Sequence, residues 1–259
     1  MRWPWSRAKA PVLHVATDEG EGPVVILVHG IASSSITFQQ LVPRLSDTHR
    51  VIAVDILGFG ESPSPANATY SINEHADALY ATIRSLRLRA PFVLVGHSLG
   101  SLISARYAAD HPESVAKLVL VSPPVYLDPK SFGASRDRTA MGAYLKVYEY
   151  LRENKRFTIR VAKNLDRISP IRNVLQVSED NWQAFTLSLQ NAIESQTTVA
   201  DIARVRVPVE IVYGTLDPFL MPGGIQIVAQ MRHVTVHKVD ASDHLLRKRL
   251  AKAVAKVVG

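Results

Sequence analysis

Short apolar runs rich in β-branched residues alternate along the chain with longer stretches of helical periodicity. Runs such as VVILV and FVLVG are typical of strands that are buried on both faces of a parallel sheet. The predicted strands lie in residues 11–17, 23–30, 50–58, 91–98, 117–124, 208–215 and 234–240. Helices are predicted between them at about 35–46, 71–89, 99–111, 222–232 and 244–257. This alternation predicts an α/β protein with a mostly parallel central sheet flanked by helices.

The alternation is interrupted once, after the strand at about 117–122. No further strand is predicted before Pro208, and the intervening periodicity is helical at 137–154, 156–165 and 179–195. We therefore predict an α/β core formed by residues 1–124 and 205–259, with residues 125–204 inserted as a helical lid. Ligands of such sheets bind at the carboxyl ends of the strands, so the insertion is expected above the site. Its aromatic residues are expected mainly in the core of the lid.

The basic residues of the chain are concentrated in the predicted lid. The chain has 30 Lys and Arg against 23 Asp and Glu, a net charge of +7, and 47% hydrophobic residues. Residues 130–172 contain eleven basic and four acidic residues, so this segment alone accounts for +7 and the rest is balanced. A uniformly basic nucleic-acid binder is therefore a poor description of this chain. The excess charge favours an anionic substrate or an anionic surface near the site, and simple solvation of the lid helices is the competing interpretation.

Other compositional features exclude several classes of protein. The chain has no Cys, which excludes disulfide scaffolds, cysteine metal sites and thiol nucleophiles. No apolar run approaches the ~18–20 residues of a membrane span. The N-terminal segment lacks the apolar core of a secretory signal, so a cytoplasmic location is expected. Trp3, Trp5 and the basic tail 247–259 suggest a peripheral membrane contact, but a tail helix packed on the sheet is favoured.

The strongest chemical motif is Gly96-His97-Ser98-Leu99-Gly100, between a predicted strand and a predicted helix. The pattern G-x-S-x-G in this setting is a nucleophile elbow, a strained turn that exposes the serine hydroxyl above the sheet. Gly96 and Gly100 leave room for the neighbouring strand and helix. The helix that begins at Ser98 directs its N-terminal N–H groups toward developing negative charge.

Together with further motifs in the same order, this elbow resembles the α/β-hydrolase superfamily over nearly the whole chain. His29-Gly30-Ile31 follows the strand VVILV, as the oxyanion loop of that superfamily does. The turn 55-DILGFGES resembles the D-x-x-G-x-G-x-S turn of lid-bearing members, in which these residues shape a loop. Asp217 follows a strand, and His244 follows the last strand 27 positions later.

The resemblance implies a catalytic triad of Ser98, Asp217 and His244. A serine hydroxyl needs a base that is active near neutral pH, which histidine provides, and a buried carboxylate holds that histidine in one tautomer. Three other acids remain candidates for the orienting carboxylate, namely Asp240, Asp243 and Asp128.

The same resemblance assigns the oxyanion hole to the backbone N–H groups of Ile31 and Leu99. His29 and Gly30 are then expected to support the oxyanion loop, and His97 is expected to point sideways from the elbow. His237 lies in an alternating strand pattern and is expected to be structural.

The function that these residues predict is a serine hydrolase that cleaves small carboxylic esters through an acyl-enzyme, with no cofactor and no metal. A carbon–carbon bond hydrolase of a dienone acid is one alternative, although such enzymes often carry Trp soon after the catalytic histidine and here Leu245 and Leu246 follow. A ligand receptor on the same fold is the second alternative, because a fold does not dictate an activity.

Overall fold

A single sheet forms the centre of the protein. The computed structural model describes residues 10–126, 135–168 and 175–259. In these residues seven strands form the order β1-β3-β2-β4-β5-β6-β7. Strand β1 pairs with β3 in antiparallel fashion and all other neighbours are parallel, which confirms the predicted mostly parallel sheet. The strands are β1 (Val15–Glu19), β2 (Val24–Val28), β3 (Arg50–Val54), β4 (Phe92–His97), β5 (Val115–Val121), β6 (Val209–Gly214) and β7 (Val234–Val239).

Helices lie between the strands, as in other layered α/β proteins. A 3₁₀ helix covers Ser35–Phe38, and a π-helical segment covers Leu189–Glu194. The α-helices are α1 (Val42–Leu45), α2 (Ile72–Ser85), α3 (Leu99–Asp110), α4 (Ser135–Glu153), α5 (Lys155–Ile168), α6 (Trp182–Ser188), α7 (Thr198–Arg204), α8 (Pro222–Val228) and α9 (Lys248–Val258).

Several predicted boundaries were wrong. The helix predicted at 35–46 is two short helices, because Pro43 lacks the N–H that a continuous helix would need there. The first strand begins four residues later than predicted, at Val15. Before it, the backbone N–H groups of Leu13 and His14 donate to the hydroxyls of Thr82 and Ser62 at 2.8 Å. Helix α7 lies in the insertion predicted to be mostly helical, although its bounds were not predicted.

The apolar core has one layer on each face of the sheet. Alternate residues of β2 divide between them, with Ile26 and Val28 on one side and Val25 and Leu27 on the other. The first layer contains residues of α2, α3 and the inserted helices, whereas the second contains α1 and α9. In α9, the apolar residues Leu250, Ala251, Val254 and Val258 are buried against the sheet. The tail helix therefore has no free apolar face for a membrane, and Trp3 and Trp5 lie outside the described residues.

Four helices, α4 to α7, lie between β5 and β6 in the described part of the insertion. Helix α7 is joined to α3 of the core by an ion pair in which Arg106 Nε lies 3.0 Å from Asp201 Oδ1. The carboxylate of Asp201 also accepts a hydrogen bond from Arg204 at 2.8 Å. Among the helices of the described residues, none combines the length and the apolar character that a bilayer crossing requires.

Candidate active site

Ser98 occupies a strained turn between β4 and α3. Its backbone has φ +53° and ψ −123°, a region that residues with a side chain rarely adopt. The turn is held on both sides, since the Ser98 N–H donates to the Val121 carbonyl at 2.9 Å and the Ser101 hydroxyl donates to the Gly96 carbonyl at 2.7 Å. The surrounding structure thus maintains a conformation that Ser98 would not keep by itself.

Two glycines allow this turn to pack closely. A Cβ atom on Gly96 would lie 2.3 Å from the Gly100 carbonyl oxygen, and a Cβ on Gly100 would lie 2.1 Å from the Val28 carbonyl oxygen. Real Cβ atoms do not approach other atoms so closely. Any side chain at either position would therefore push α3 away from the sheet and displace Ser98 with it.

The loop after β2 lies directly beside Ser98. A Cβ on Gly30 would be 2.8 Å from the Cβ of Ser98 and 3.3 Å from its Oγ. The backbone N–H groups of Ile31 and Leu99 make no hydrogen bond to any of the residues that the structure describes. The N–H of Leu99 is one of the groups that a helix N-terminus always leaves free. The free N–H of Ile31 lies in a loop, where no such rule accounts for it.

His29 holds the loop after β2 in place through two hydrogen bonds. Its Nε2 accepts a hydrogen bond from the Ile56 N–H at 3.0 Å, so its proton is on Nδ1, which donates to the Gly30 carbonyl at 2.8 Å. Burial lowers the pKa of His29 to about 4, which keeps the ring neutral at physiological pH. The carbonyl of Gly30 and the N–H of Ile31 belong to one planar peptide group. His29 therefore also orients the Ile31 N–H.

His97 connects the elbow to the loop after β7. Its Nε2 lies 2.9 Å from the backbone carbonyl of His244, to which it donates, and the two rings are 5.0 Å apart. Burial lowers the pKa of His97 to about 3, so this ring is also neutral. His97 thus points sideways from the elbow and holds the backbone of His244 close to Ser98.

His244 and Asp217 form a close pair. The Nδ1 of His244 lies 3.0 Å and 2.9 Å from the two carboxylate oxygens of Asp217, whose side chain is fully buried. Burial raises the pKa of Asp217, but the hydrogen bond and charge of His244 and the Phe219 N–H at 2.9 Å together hold it below its usual value. Asp217 is therefore ionised at neutral pH.

Of the other candidate acids, Asp243 and Asp240 do not face His244. Asp243 pairs with Arg247 at 2.8 Å and Asp240 is exposed, whereas Asp128 lies outside the described residues. The hydroxyl of Ser98 makes no hydrogen bond to His244 within the described chain. Such contacts are often long in ligand-free enzymes and shorten when substrate binds.

Comparison with known proteins identifies the family to which the chain belongs. A family model described as the alpha/beta hydrolase fold matches residues 23–246. The chain belongs to this family. The enol-lactonase from Burkholderia xenovorans LB400 has a TM-score of 0.70 at 22% identity, over 95% of this chain and 94% of that one. A thermophilic esterase from Thermogutta terrifontis has a TM-score of 0.69 at 21% identity, over 93% of this chain and 90% of that one. At these identities the likeness establishes the fold alone.

Two curated relatives resemble this α/β hydrolase over part of their sequence. The 2-(acetamidomethylene)succinate hydrolase of Mesorhizobium japonicum is 38% identical over 128 residues, which are 49% of this chain and 45% of the relative. The probable lysophospholipase BODYGUARD 1 of Arabidopsis thaliana is 36% identical over 119 residues, 44% of this chain and 25% of the relative. The matches thus span less than half of either relative. Family membership supports a hydrolase without selecting its substrate.

Three tyrosines of this α/β hydrolase lie near Asp217: the sequence placed Tyr144 and Tyr148 only generally, as aromatics of the lid, and did not single out Tyr126. Tyr144 on α4 donates to the carbonyl of Pro218. Tyr126 lies 2.6 Å from the hydroxyl of Tyr148, and its own hydroxyl donates to the Phe219 carbonyl at 3.4 Å. Burial raises the pKa of Tyr148 to about 12, so the phenol stays protonated. No local motif marks these residues, because only the fold brings them to the loop that carries Asp217.

The turn that contains Asp55 is structural in this α/β hydrolase. The carboxylate of Asp55 accepts hydrogen bonds from the N–H groups of Ser35 at 2.8 Å and Glu61 at 3.0 Å, and its carbonyl accepts one from Ser62 at 2.6 Å. These bonds join the turn to the segment that follows the oxyanion loop. Asp55 thus stabilises two loops and makes no contact with His244 or Asp217 among the described residues.

Proposed function

We propose that this α/β hydrolase is a serine hydrolase that cleaves small carboxylic esters. The observation that carries the proposal is the strained backbone of Ser98. The free backbone N–H groups of Ile31 and Leu99 lie beside this residue, and the ring of its neighbour His97 contacts His244. A nucleophile, a base oriented by an ionised acid and a pair of oxyanion donors are the parts that acyl transfer requires.

In the proposed mechanism, the Ser98 hydroxyl attacks the ester carbonyl while His244 Nε2 takes its proton. Asp217 holds His244 with the proton on Nδ1 and stabilises the imidazolium that forms. The N–H groups of Ile31 and Leu99 bind the oxyanion. The alcohol leaves with the proton from His244, and an acyl group remains on Ser98. Water then attacks this acyl-enzyme, gives its proton to His244, and releases the acid as Ser98 recovers its hydrogen.

We also propose that residues 125–204 form a lid over a core of residues 1–124 and 205–259. Two contacts support this division. The backbone N–H of Gln176 donates to the carbonyl of Ala32 at 2.5 Å, next to the oxyanion loop. The phenol of Tyr144 donates to Pro218, next to Asp217. The insertion therefore contacts the loops on both sides of Ser98.

The test is hydrolysis of p-nitrophenyl acetate, butyrate and octanoate by the wild-type protein and by Ser98→Ala. We expect a burst of p-nitrophenol from the wild type and none from the variant. Ser104→Ala is a matched control, since it removes a buried hydroxyl of the same helix that has no hydrogen-bond partner among the described residues. Equal rates from the wild type and Ser98→Ala across all three esters would exclude the esterase.

The same assay separates the two alternatives. A carbon–carbon bond hydrolase would cleave a dienone acid faster than any of the esters, and this activity would also require Ser98. A receptor would turn over neither class of substrate and would bind a small ligand without consuming it.

A further inference from the structure

The end of the α4–α5 hairpin exposes apolar side chains. Val147, Tyr150 and Phe157 are 53%, 50% and 47% exposed. Val147 and Tyr150 are three positions apart on α4 and so lie on one face of the helix. The ring of Tyr150 meets that of Phe157 edge to face, with centroids 5.4 Å apart. These three side chains are here called the hairpin patch; the sequence predicted that the lid aromatics would lie mainly in the core of the lid, and Tyr150 and Phe157 are exceptions.

A row of cations lies next to the hairpin patch. Arg156, Arg160 and Lys163 follow the i, i+4, i+7 spacing on α5, so they share one face of the helix. Together with Ile159, Asn164 and Glu179 they line a groove of about 430 Å³. Among the side chains that the structure describes, which do not include those of 165–168, no carboxylate lies within 4.0 Å of these three cations, and Glu179 is already paired with Lys155 at 2.5 Å.

This arrangement is costly unless something negative covers it. Like charges at i, i+4 destabilise a helix by about 0.2–0.5 kcal/mol per pair, and half-exposed aromatic rings add apolar surface in contact with water. Both costs are offset at the surface of an anionic bilayer, where aromatic rings enter the headgroup region and cations meet lipid phosphates. A small anion would neutralise the cations but would leave the rings exposed.

We propose that the hairpin patch and the Arg156–Arg160–Lys163 row dock this protein on anionic phospholipid membranes. The surface differs from the basic tail that the sequence suggested, because α9 buries its apolar face. Docking does not depend on the chemistry at Ser98, so the proposal stands or fails independently of the proposed esterase activity.

The test is cosedimentation of the full chain with vesicles of phosphatidylcholine alone and with 30% phosphatidylglycerol, at low and high NaCl. We expect binding only to the anionic vesicles, weakened by salt. Each cation near such a surface contributes about fivefold to the partition coefficient, so Arg156→Gln/Arg160→Gln/Lys163→Gln should lower it about 100-fold. Val147→Ser/Tyr150→Ser/Phe157→Ser should also lower binding, and thermal melting checks that each variant is folded.

A charge-matched control is available on another face of the protein. Arg84, Arg87 and Arg89 are exposed and line a separate groove, so replacing all three with Gln removes the same charge there. This control should bind within a few-fold of the wild type. If the Arg84/Arg87/Arg89 variant lost as much vesicle binding as the Arg156/Arg160/Lys163 variant, net charge alone would explain the binding and the proposal would be overturned. The proposal would also be overturned if the wild type did not bind anionic vesicles, or if the variants of the basic row and of the hairpin patch both bound as well as the wild type. It would be overturned as well if millimolar inorganic phosphate displaced the protein from vesicles at a concentration too low to act through ionic strength.

Discussion

Replacing Gly30 with Ala is a direct test of the position of the loop after β2. The added Cβ would lie 2.8 Å from the Cβ of Ser98 and 3.3 Å from its Oγ. Carbon atoms in contact are about 3.5–4.0 Å apart, so one of the two segments must move by about 1 Å. The φ of Gly30 is not in the left-handed region, so alanine is not strained by the backbone there and the expected effect is steric alone.

The size of the effect follows from this displacement. Moving a reacting group by about 1 Å can lower a rate about 100-fold, and overpacking a tight site costs about 1–3 kcal/mol of stability. We therefore expect Gly30→Ala to fold with a lower melting temperature and to hydrolyse p-nitrophenyl acetate with kcat/KM about 100-fold below that of the wild type. Initial rates and thermal melting measured on the same preparations give both quantities.

Gly142→Ala is the matched control for this substitution. A Cβ on Gly142 meets no atom within 4 Å, and Gly142 lies inside α4. Alanine is favoured over glycine in a helix by up to about 1 kcal/mol, so this variant should melt about 2 °C higher with unchanged kcat/KM. A folded Gly30→Ala protein with wild-type kcat/KM would show that the loop does not lie against Ser98 and would refute the reasoning.

Three further predictions concern other groups. Asp217→Asn should lower kcat for p-nitrophenyl acetate by about 10⁴-fold, because an amide cannot stabilise the imidazolium of His244; a loss below tenfold in steady-state assays would contradict the pairing. Burial keeps the pKa of His75 at about 3 in the folded state against 6.5 in the unfolded chain, so the unfolded state binds an extra proton between these values. The free energy of unfolding should therefore fall with decreasing pH below about 6.5, by about 1.4 kcal/mol per pH unit from this group, and urea unfolding of His75→Gln should show a correspondingly smaller slope. Tyr144→Phe should lower kcat about fivefold by releasing the Pro218 carbonyl, and an unchanged kcat would show that the loop of Asp217 is held without this bond.

Local chemistry made part of the candidate site predictable. The turn at Ser98 is specified by five consecutive residues between a strand and a helix. Its two glycines are required because the backbone packs too closely around Ser98 to accept a side chain at either position. The sheet was predictable for a similar reason, since strands buried on both faces must be apolar at nearly every position. The exceptions are local too: the first strand is at the sheet edge, where its pattern is mixed, and Pro43 divides a helix whose apolar periodicity is continuous.

Pairings between distant residues required the fold. The sequence left Asp217, Asp240, Asp243 and Asp128 open as partners of His244, because all four follow predicted strands. In the structure, Asp243 pairs with Arg247, Asp240 is exposed to solvent, and the buried carboxylate of Asp217 pairs with His244. Spacing along the chain cannot express this choice, since it depends on how the ends of β6 and β7 lie side by side.

The sequence by itself determined the layered α/β architecture, the elbow at Ser98 and the concentration of basic residues in one segment. These features depend on neighbouring residues or on periodicity, which a linear chain records. Only the tertiary structure decided that His29 orients the Ile31 N–H, that tyrosines of the insertion hold the loop of Asp217, and that apolar side chains beside the basic row face solvent. Each of these depends on which surfaces meet after folding, and the net burial of apolar area across the whole molecule, rather than any local pattern, selects those contacts.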